Sequence, residues 1–497
     1  MKVMISYPPL SNQKGCPTLG QNRQFQYFKQ PTYIYPVVPA QAATLLKQRG
    51  YQVIWNDALA QGQSRSEYFD LLRRERPGLI AFEAKTPVIK EIWRIIDEVK
   101  TKWPACVCVL FGDHVTALPE ESLTLCKADF ILTGGDYDFL LLNLCDCLQE
   151  SRLPESFFRV DTLEAGIYYR SDKGIKNTGK FQLNHNLDAL PLIDRQLTRW
   201  ELYSRKNGNY KRRPGTYIMS GRDCWWGKCS FCSWPALYPS FRVRSVENVL
   251  SEIEMLIAKY KVREIMDDTG CFPAGGWLRD FCSGVIRRGI NQKVYLDCNM
   301  RFGALAEDDF ALMKKANFRL LLFGLESANQ NTLDRINKNL KKEQIIADCR
   351  AASRAGLFPH ITVMFGYPWE TYQDARQTLK LGKWLLRKGY AYTMQATIVI
   401  PYPGSTLFKE CKDNNLLRTL DWDDYDMKQP VMRGEVPDQK LMGLVQGMYG
   451  ASFHPEFIFR KIFSLRDMDD LRYYLRAGRK VFGHIFDFKK GRQAPCS

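Results

Sequence analysis

The first 150 residues alternate between short apolar runs and longer stretches whose apolar residues recur at helical spacing. A continuous apolar run of four to eight residues indicates a buried strand, and the 3.6-residue period indicates a helix packed on one face. The pattern predicts strands at residues 2–6, 52–55, 79–83, 107–111 and 130–133, with helices at 38–50, 67–76 and 88–102. Strands that alternate with helices in this way predict a Rossmann-like, doubly wound parallel sheet with ligand loops at its carboxyl edge.

A second strand–helix series begins near residue 216. Here the pattern predicts six strands, at residues 216–220, 263–266, 294–298, 320–323, 360–365 and 394–400, most of them ending in polar residues or glycine. Six such units predict an open, partial TIM-like (β/α)6 barrel with its chemistry at the strand ends. We therefore expect an α/β protein with an N-terminal domain at 1–150, a connector at 151–205, a barrel at 206–412 and a mainly helical C-terminal region at 413–497.

Composition places these domains in a reducing compartment. The 497 residues are 45% hydrophobic and include 15 cysteines at irregular spacing, which does not suggest a disulfide framework. The sequence shows no signal-peptide pattern and no apolar run of about 18 residues, so we expect a cytoplasmic protein without a spanning helix. The net charge of +17 fits nucleic acid, an anionic membrane or acidic cofactors as partners, and equally a solvated surface.

Three cysteines form the most informative motif. Cys224, Cys229 and Cys232 lie in C-x4-C-x2-C spacing on the loop after the first barrel strand. Three thiolates this close can hold three irons of a [4Fe–4S] cluster and leave the fourth iron open. A structural cysteine cluster is the alternative, and a closed zinc knuckle is disfavoured because no fourth cysteine completes a nearby pair.

This loop and its setting resemble the radical S-adenosylmethionine (SAM) superfamily, whose usual triad is C-x3-C-x2-C, one residue shorter. The resemblance implies a [4Fe–4S] cluster that binds and reduces SAM to give a 5′-deoxyadenosyl radical, with flavodoxin or ferredoxin as an external electron donor. It also implies the SAM contacts. These are Phe231 beside adenine, Asp267 and Asp268 near the amino group, Arg301 on the carboxylate, Glu326 and Ser327 near ribose or carboxylate, and Gly366 under adenine.

Each of these residues also has a structural interpretation. The two aspartates could cap a helix, Arg301 could form a surface ion pair, and Glu326 with Ser327 could cap the next helix. These residues lie at successive strand ends after the cysteine loop, and this shared placement favours the SAM site. Several residues that agree with the predicted strands are stronger evidence than any single residue. The sequence assigns no catalytic side chain.

Residues 1–150 resemble the cobalamin-binding domain that precedes many radical SAM domains. The resemblance implies cobalamin contacts at Thr86, Gly112, Thr116, Gly134 and Gly135, in the loops that follow successive strands. The D-x-H-x-x-G motif that supplies a histidine to cobalt is absent, and His114 lies in a different context, so no protein histidine is expected on cobalt. A degenerate domain that no longer binds the cofactor is the alternative.

Residues 413–497 interleave aromatic and basic side chains, including Phe457, Phe459, Phe463, Phe486 and Phe488 among arginines and lysines. Such a pattern is typical of a helical cap whose aromatics join a core, and it also fits a basic amphipathic helix on a membrane or near a lipid substrate. The region shows no β-rich RNA-binding module, so nucleic acid is not an expected partner.

Three functions remain open at this point. The first is a cobalamin-dependent radical SAM methyltransferase acting on an unactivated carbon of a small molecule or lipid. The second is non-methylating radical chemistry such as oxidative cyclisation, since the stretch from Cys229 to Trp234 is similar to the anaerobic cyclase of bacteriochlorophyll biosynthesis. The third is a non-catalytic cobalamin- or metal-binding sensor.

Overall fold

The computed structural model describes residues 1–17, 27–29, 31–150, 162–207 and 209–487. Its strands are β1 Lys2–Tyr7, β2 Cys16–Pro17, β3 Tyr27–Phe28, β4 Gln52–Asp57, β5 Leu79–Glu83, β6 Val107–Phe111, β7 Phe130–Leu132, β8 Ile167–Ser171, β9 Gly174–Asn177, β10 Gly215–Ile218, β11 Gly221–Arg222, β12 Arg242–Val243, β13 Glu264–Asp267, β14 Tyr295–Met300, β15 Phe318–Glu326, β16 Phe358–Phe365 and β17 Thr393–Ile398.

The helices of the N-terminal half are α1 Val37–Gln48, α2 Ala58–Gln61, α3 Arg65–Glu75, α4 Ile89–Lys102, α5 Asp113–Ala117, α6 Pro119–Leu125, α7 Tyr137–Glu150, α8 Glu201–Ser204 and α9 Trp234–Leu237. Those that follow are α10 Val246–Tyr260, α11 Gly276–Arg287, α12 Glu307–Lys315, α13 Gln330–Arg335, α14 Lys342–Arg354, α15 Tyr372–Lys388, α16 Thr406–Asp413, α17 Asp438–Gly450, α18 Pro455–Phe463 and α19 Met468–Asp487.

The first sheet has seven strands in the order β4-β1-β5-β6-β7-β8-β9. The strands from β4 to β7 pair in parallel, as the alternating strand–helix pattern predicts. However, β8 and β9 of the connector pair antiparallel at one edge, so the observed sheet is mixed and larger than the parallel sheet predicted within residues 1–150. These two strands form a hairpin that extends the first sheet, because Leu132 of β7 pairs with Ile167 of β8.

The second sheet has six strands in sequential order, β10-β13-β14-β15-β16-β17, and every pair is parallel. This is the six-stranded open barrel that the sequence predicts. Strand β15 runs three residues further than expected and ends at Glu326, while β13 includes Asp267 as its last residue. The barrel strands therefore deliver these two carboxylates directly to the carboxyl edge of the sheet.

Helices α17–α19 form the C-terminal end of the described chain. Helix α17 buries Leu444, Val445 and Met448, and the Tyr449 hydroxyl donates to the Ala396 carbonyl of β17 at 3.0 Å. Helix α19 buries Tyr473 at the amino end of the barrel, beside the pair formed by Arg319 and Asp297. Among the described residues, no helix combines the length and apolarity needed to cross a membrane.

Candidate functional site

The cysteine loop is fastened to the carboxyl end of the barrel on both sides. The Trp225 indole donates to the Phe272 carbonyl at 3.2 Å, and the Trp226 indole donates to the Asn337 carbonyl at 3.0 Å. The Ser230 N–H donates to the Ile336 carbonyl at 3.0 Å. These bonds join the loop to the segments that follow β13 and β15, which fixes where its three thiols lie.

The three cysteines line one cavity of about 240 Å³ at the carboxyl ends of the barrel strands. The loop also contributes Phe231, and the strand ends contribute Arg301 and Glu326, so six of the predicted site residues meet there. The remaining wall includes Trp226, Trp234, Gly270, Cys271, Asn299, Met300, Leu322, Gly324, Lys338, Thr362, Val363, Met364, Gln395, Thr397 and Met427.

Cys224 lies in a setting that favours its thiolate. The Cys271 thiol donates a hydrogen bond to its sulfur, burial opposes ionisation, and the N–H groups of Gly227 and Trp226 add support, so the pKa of Cys224 falls to about 6. Burial raises the pKa of Cys229 and of Cys232. The sequence did not single out Cys271, because it lies 39 residues after the triad and has no motif spacing to it.

The donor set fits a [4Fe–4S] cluster. Three thiols face one cavity, and a multi-iron cluster accepts ligands that do not converge on one point. No group of three His, Cys, Asp or Glu side chains that could hold a single metal ion occurs in residues 1–17, 27–29, 31–150, 162–207 and 209–487. The identity of the three cysteines as cluster ligands remains a prediction from their spacing and placement.

Arg301 brings a cation to the cavity. Its guanidinium stacks 4.2 Å from the Trp226 ring centroid and donates to the Phe302 and Asn339 carbonyls, both at 2.9 Å, and to the Lys338 carbonyl. Burial lowers the pKa of this guanidinium, and its Nε has no hydrogen-bond partner in the described structure. Backbone carbonyls hold the group without neutralising it, so it can attract an anionic ligand group.

Lys338 brings a second cation, which no motif or periodic pattern of the sequence indicates. Its Nζ donates to Glu326 Oε1 at 2.8 Å, and both side chains are about nine-tenths buried. Burial disfavours the charge, but the Glu326 carboxylate more than offsets this and raises the pKa of Lys338. Lys338 lies on an irregular segment between α13 and α14, where no periodic pattern indicates which way a lysine points.

Four other predicted SAM contacts do not line this cavity. Asp267 accepts from the N–H groups of Ser220 and Thr269, both at 3.0 Å, and so holds the loop that follows β13. Asp268 is buried beside it, and Ser327 donates to Glu370 at 2.7 Å. At Gly366 an added Cβ would lie 3.4 Å from Leu441. The contacts of these four residues with SAM stay predictions.

The five predicted cobalamin contacts meet at the carboxyl edge of the first sheet. The Thr86 hydroxyl lies 3.2 Å from His114 Nδ1, and the Thr116 hydroxyl donates to the Gly112 carbonyl and accepts from the Gly134 N–H. Gly112 has φ +119° and packs against the Ala84 carbonyl.

Two aromatic rings cover the glycines at this edge. An added Cβ would lie 2.4 Å from the Phe181 ring at Gly134 and 1.9 Å from the Tyr238 ring at Gly135. In this arrangement an aromatic ring occupies the position that a side chain would take at either glycine. His114 is fully buried, with its Nε2 3.0 Å from Glu121.

The two acidic residues after Gly135 have a structural partner. Arg222, immediately before the cysteine loop, donates to Asp136 at 3.0 Å and to both oxygens of Asp138 at 2.9 and 2.6 Å. Arg242 also donates to both oxygens of Asp136. The two domains are therefore joined by buried ion pairs at the point where the cysteine loop begins.

Comparison with known proteins identifies the class to which this site belongs. Residues 218–382 match the radical SAM superfamily. Residues 218–382 therefore form a radical SAM domain, which confirms the expectation drawn from the cysteine loop, and a domain of this kind indicates an enzyme. A radical SAM domain implies a [4Fe–4S] cluster and SAM as cofactors.

Two curated relatives match most of the chain. An uncharacterized methyltransferase of Pyrococcus horikoshii is 25% identical over 413 residues, which cover 82% of this chain and 85% of the relative. The anaerobic magnesium-protoporphyrin IX monomethyl ester cyclase of Rubrivivax gelatinosus is 25% identical over 425 residues, which cover 84% of this chain and 73% of the cyclase. The relatives therefore include a methyltransferase and a cyclase.

Solved structures share the whole fold. The cobalamin-dependent SAM radical enzyme OxsB, with aqua-cobalamin and SAM bound, superimposes with a TM-score of 0.68 at 14% identity and covers 97% of this chain and 71% of its own. The radical SAM methyltransferase TsrM from Kitasatospora setae, with cobalamin and a [4Fe–4S] cluster bound, superimposes with a TM-score of 0.67 at 13% identity. This match covers 97% of this chain and 99% of TsrM. At these identities the likeness shows the fold.

Proposed function

We propose that the protein is a cobalamin-dependent radical SAM methyltransferase that acts on an unactivated carbon of a small-molecule or lipid substrate. The observation that carries this proposal is the single cavity in which three thiols of one loop meet the cations of Arg301 and Lys338. The methyltransferase relative and the folds of OxsB and TsrM support the choice of chemistry.

Cys224, Cys229 and Cys232 would hold the cluster, which when bound supplies the electron that cleaves SAM. The Cys271 thiol lies beside the first of these ligands and donates to its sulfur, which offsets negative charge there. Trp225 and Trp226 fix the loop through their indole N–H groups. These residues orient the three thiols and limit water beside them.

Arg301 and Lys338 would orient SAM. Among the described residues, Arg301 bonds to backbone carbonyls and stacks on an aromatic ring rather than pairing with a carboxylate, so its positive charge suits the SAM carboxylate. Lys338 is tied to Glu326, and this pair places one donor-rich and one acceptor-rich group on the same wall. Phe231 lies on the cysteine loop with its ring 5.9 Å from Lys338 Nζ and offers an apolar face to adenine.

A second cavity of about 180 Å³ lies deeper in the barrel and shares the wall residues Leu322 and Gln395 with the first. Its wall includes Tyr217, Met266, Leu320, Met394 and Tyr473 together with the polar Asp297 and His360. This mixture suits a mainly apolar substrate with a few polar groups. We propose that an external electron donor such as flavodoxin or ferredoxin reduces the cluster.

Cobalamin, which supplies a methyl carrier when bound, is proposed for the carboxyl edge of the first sheet. Phe181 and Tyr238 must turn away from Gly134 and Gly135 before a corrin can contact those residues. His114 is held between Thr86 and Glu121, which supports a corrin without a histidine ligand from this position.

Oxidative cyclisation is the second candidate. It is favoured by the cyclase relatives and by the two rings that cover Gly134 and Gly135, because radical chemistry without methyl transfer needs no methyl carrier.

The test is anaerobic reconstitution with iron, sulfide and hydroxocobalamin, followed by reduction in the presence of methyl-labelled SAM and a cell extract. A methyltransferase forms S-adenosylhomocysteine, 5′-deoxyadenosine and a labelled product, and its cob(II)alamin shows no histidine nitrogen splitting in electron paramagnetic resonance. Formation of 5′-deoxyadenosine alone, without retained cobalamin, would favour cyclisation. Absence of any SAM cleavage would favour the sensor.

A further inference from the structure

Exposed apolar side chains are concentrated at the C-terminal end of the described chain. Ten of the sixteen large hydrophobic side chains that are exposed in the described structure lie within residues 453–482. Monomeric proteins rarely expose apolar residues in one contiguous group, and such a group usually marks an interaction site. We call the surface of residues 453–482 the α18–α19 face.

Helix α18 presents most of its apolar residues outward. None of its residues is buried, and Ile458, Phe459, Ile462 and Phe463 follow the spacing of one helical face. Phe463 is 85% exposed at the end of the helix, and Met468 is 60% exposed at the start of α19. Exposed apolar side chains therefore flank the turn between the two helices, and we call this turn with Phe463 and Met468 the Phe463 tip.

The charges of this face are mainly positive. Residues 453–482 contain seven Lys or Arg and four Asp or Glu. All four acids are already paired with cations. Asp467 and Asp470 bind Arg212, Asp469 binds Arg263, and Glu456 binds Arg387. Arg466 and Arg479 are exposed beside the apolar residues, and Arg472 is exposed with its Nη1 3.7 Å from Asp469 Oδ1. A partner of this face must therefore offer both apolar and anionic groups.

The face also leads toward the barrel. A groove of about 330 Å³ runs between α18 and α19, and five of its wall residues, including Met394 and Tyr473, also line the cavity deep in the barrel. That cavity in turn borders the cysteine cavity at Leu322 and Gln395. An amphiphile at this face would lie next to the amino end of the barrel.

We propose that the α18–α19 face docks on an anionic lipid bilayer, with the Phe463 tip in the headgroup layer. Apolar helical faces flanked by arginine bind at such interfaces, and their affinity rises with anionic lipid. A second copy of the chain is disfavoured as the occupant, because two copies that each carry a net charge of +17 repel each other overall. Residues 488–497 contain three basic residues and no acidic residue, so their charge also has the same sign.

The experiment is flotation of the full-length protein with vesicles of phosphatidylcholine alone and of phosphatidylcholine with phosphatidylglycerol. We expect flotation with the anionic vesicles, at least tenfold less with the neutral vesicles, and a strong decrease at 0.5 M salt, at roughly a 4 Å Debye length. Absence of binding to the anionic vesicles would overturn the proposal, whatever the outcome of the SAM assays.

The Phe463→Asp variant tests the tip. Because Phe463 is exposed, the protein should keep its melting temperature, whereas vesicle binding should fall by about tenfold or more. The matched control is Leu125→Asp, which changes an exposed apolar residue on α6 and should leave binding unchanged. Equal binding of the Phe463 variant and the control would contradict docking by this face.

Analytical sedimentation of the same proteins tests the alternative that a second copy of the chain covers the α18–α19 face. Concentration-dependent self-association that is lost in Phe463→Asp, together with no vesicle binding, would assign the face to a second copy and overturn the bilayer proposal.

Discussion

Arg222 and Asp138 form a two-point ion pair, with Nη1–Oδ1 at 2.9 Å and Nη2–Oδ2 at 2.6 Å, and both side chains are buried. Asp138 lies in the first turn of α7 of the first domain, and Arg222 lies two residues before Cys224. The pair therefore connects the edge of the first sheet to the base of the cysteine loop. The arrangement of the loop depends on a residue of the other domain.

Replacing Arg222 with Met should destabilise the protein and loosen the cysteine loop. The variant leaves Asp138 buried without its cation, and loss of one partner of a buried pair costs about 3–5 kcal/mol. Thermal unfolding and iron content after reconstitution measure the two effects. The control is Arg263→Met, which breaks an exposed pair with Asp469 and should cost at most about 1 kcal/mol. Similar losses of stability and iron in both variants would show that the buried Arg222–Asp138 pair contributes no more than an exposed pair.

Replacing Cys224, Cys229 and Cys232 together with Ala should remove the cluster and all SAM cleavage. Three thiolates are needed to hold a [4Fe–4S] cluster with one open iron, for which we expect about four irons per chain. Iron analysis and 5′-deoxyadenosine formation are the measurements. Cys282→Ala is the control, because this buried cysteine of α11 lies outside the cavity and should keep its iron. Retention of iron by the triple variant would refute the ligand assignment.

Replacing Arg301 with Ala should weaken SAM binding by about 1.5–3 kcal/mol, the range for a hydrogen bond to a charged group. Equilibrium binding of SAM to the reconstituted protein measures this loss. Arg287→Ala, on the exposed side of α11, should bind SAM like the parent protein. Unchanged affinity in the Arg301 variant would remove this residue from the SAM site.

The contact between Lys338 and Glu326 can be tested by a double-mutant cycle. Lys338→Met leaves the Glu326 carboxylate buried without its cation, which should cost about 3–5 kcal/mol of folding free energy. Glu326→Gln combined with Lys338→Met should cost less than the two single changes added together, because the unpaired charge is gone. Chemical denaturation measures each variant, and strict additivity would argue against a direct pair.

The barrel could be predicted from sequence because its strands follow one another in space and each pairs in parallel with the next. The cysteine cavity followed, since Arg301 and Glu326 come directly at strand ends. The position of Lys338 in the cavity wall could not be predicted, because an irregular segment has no periodic pattern that indicates where a side chain points. The edge position of β8 and the cover of Gly134 by Phe181 also escaped prediction, because both depend on contacts between distant parts of the chain.

His185 should give the domain connection a dependence on pH. Its ring nitrogens lie 3.1 Å from Asp136 Oδ2 and 3.0 Å from Glu164 Oε2. Burial opposes protonation, but the hydrogen bonds to these two carboxylates prevail and raise the pKa of His185 to about 9. Because this pKa is raised above the unfolded value near 6.5, the stabilisation is fully present below about pH 6.5 and is lost as the pH rises through about 9.

His185→Gln should therefore remove a pH-dependent contribution of at most about 3 kcal/mol, since one pKa unit corresponds to about 1.4 kcal/mol. The measurement is the difference in unfolding free energy between the parent and the variant from pH 6 to pH 10. This difference should be largest at pH 6 and should shrink as the pH approaches 10, because only the parent loses the interaction of the imidazolium with Asp136. Other groups titrate in the same range in both proteins and cancel in the difference. A difference that stays constant across this range would show that His185 is not protonated in the folded protein.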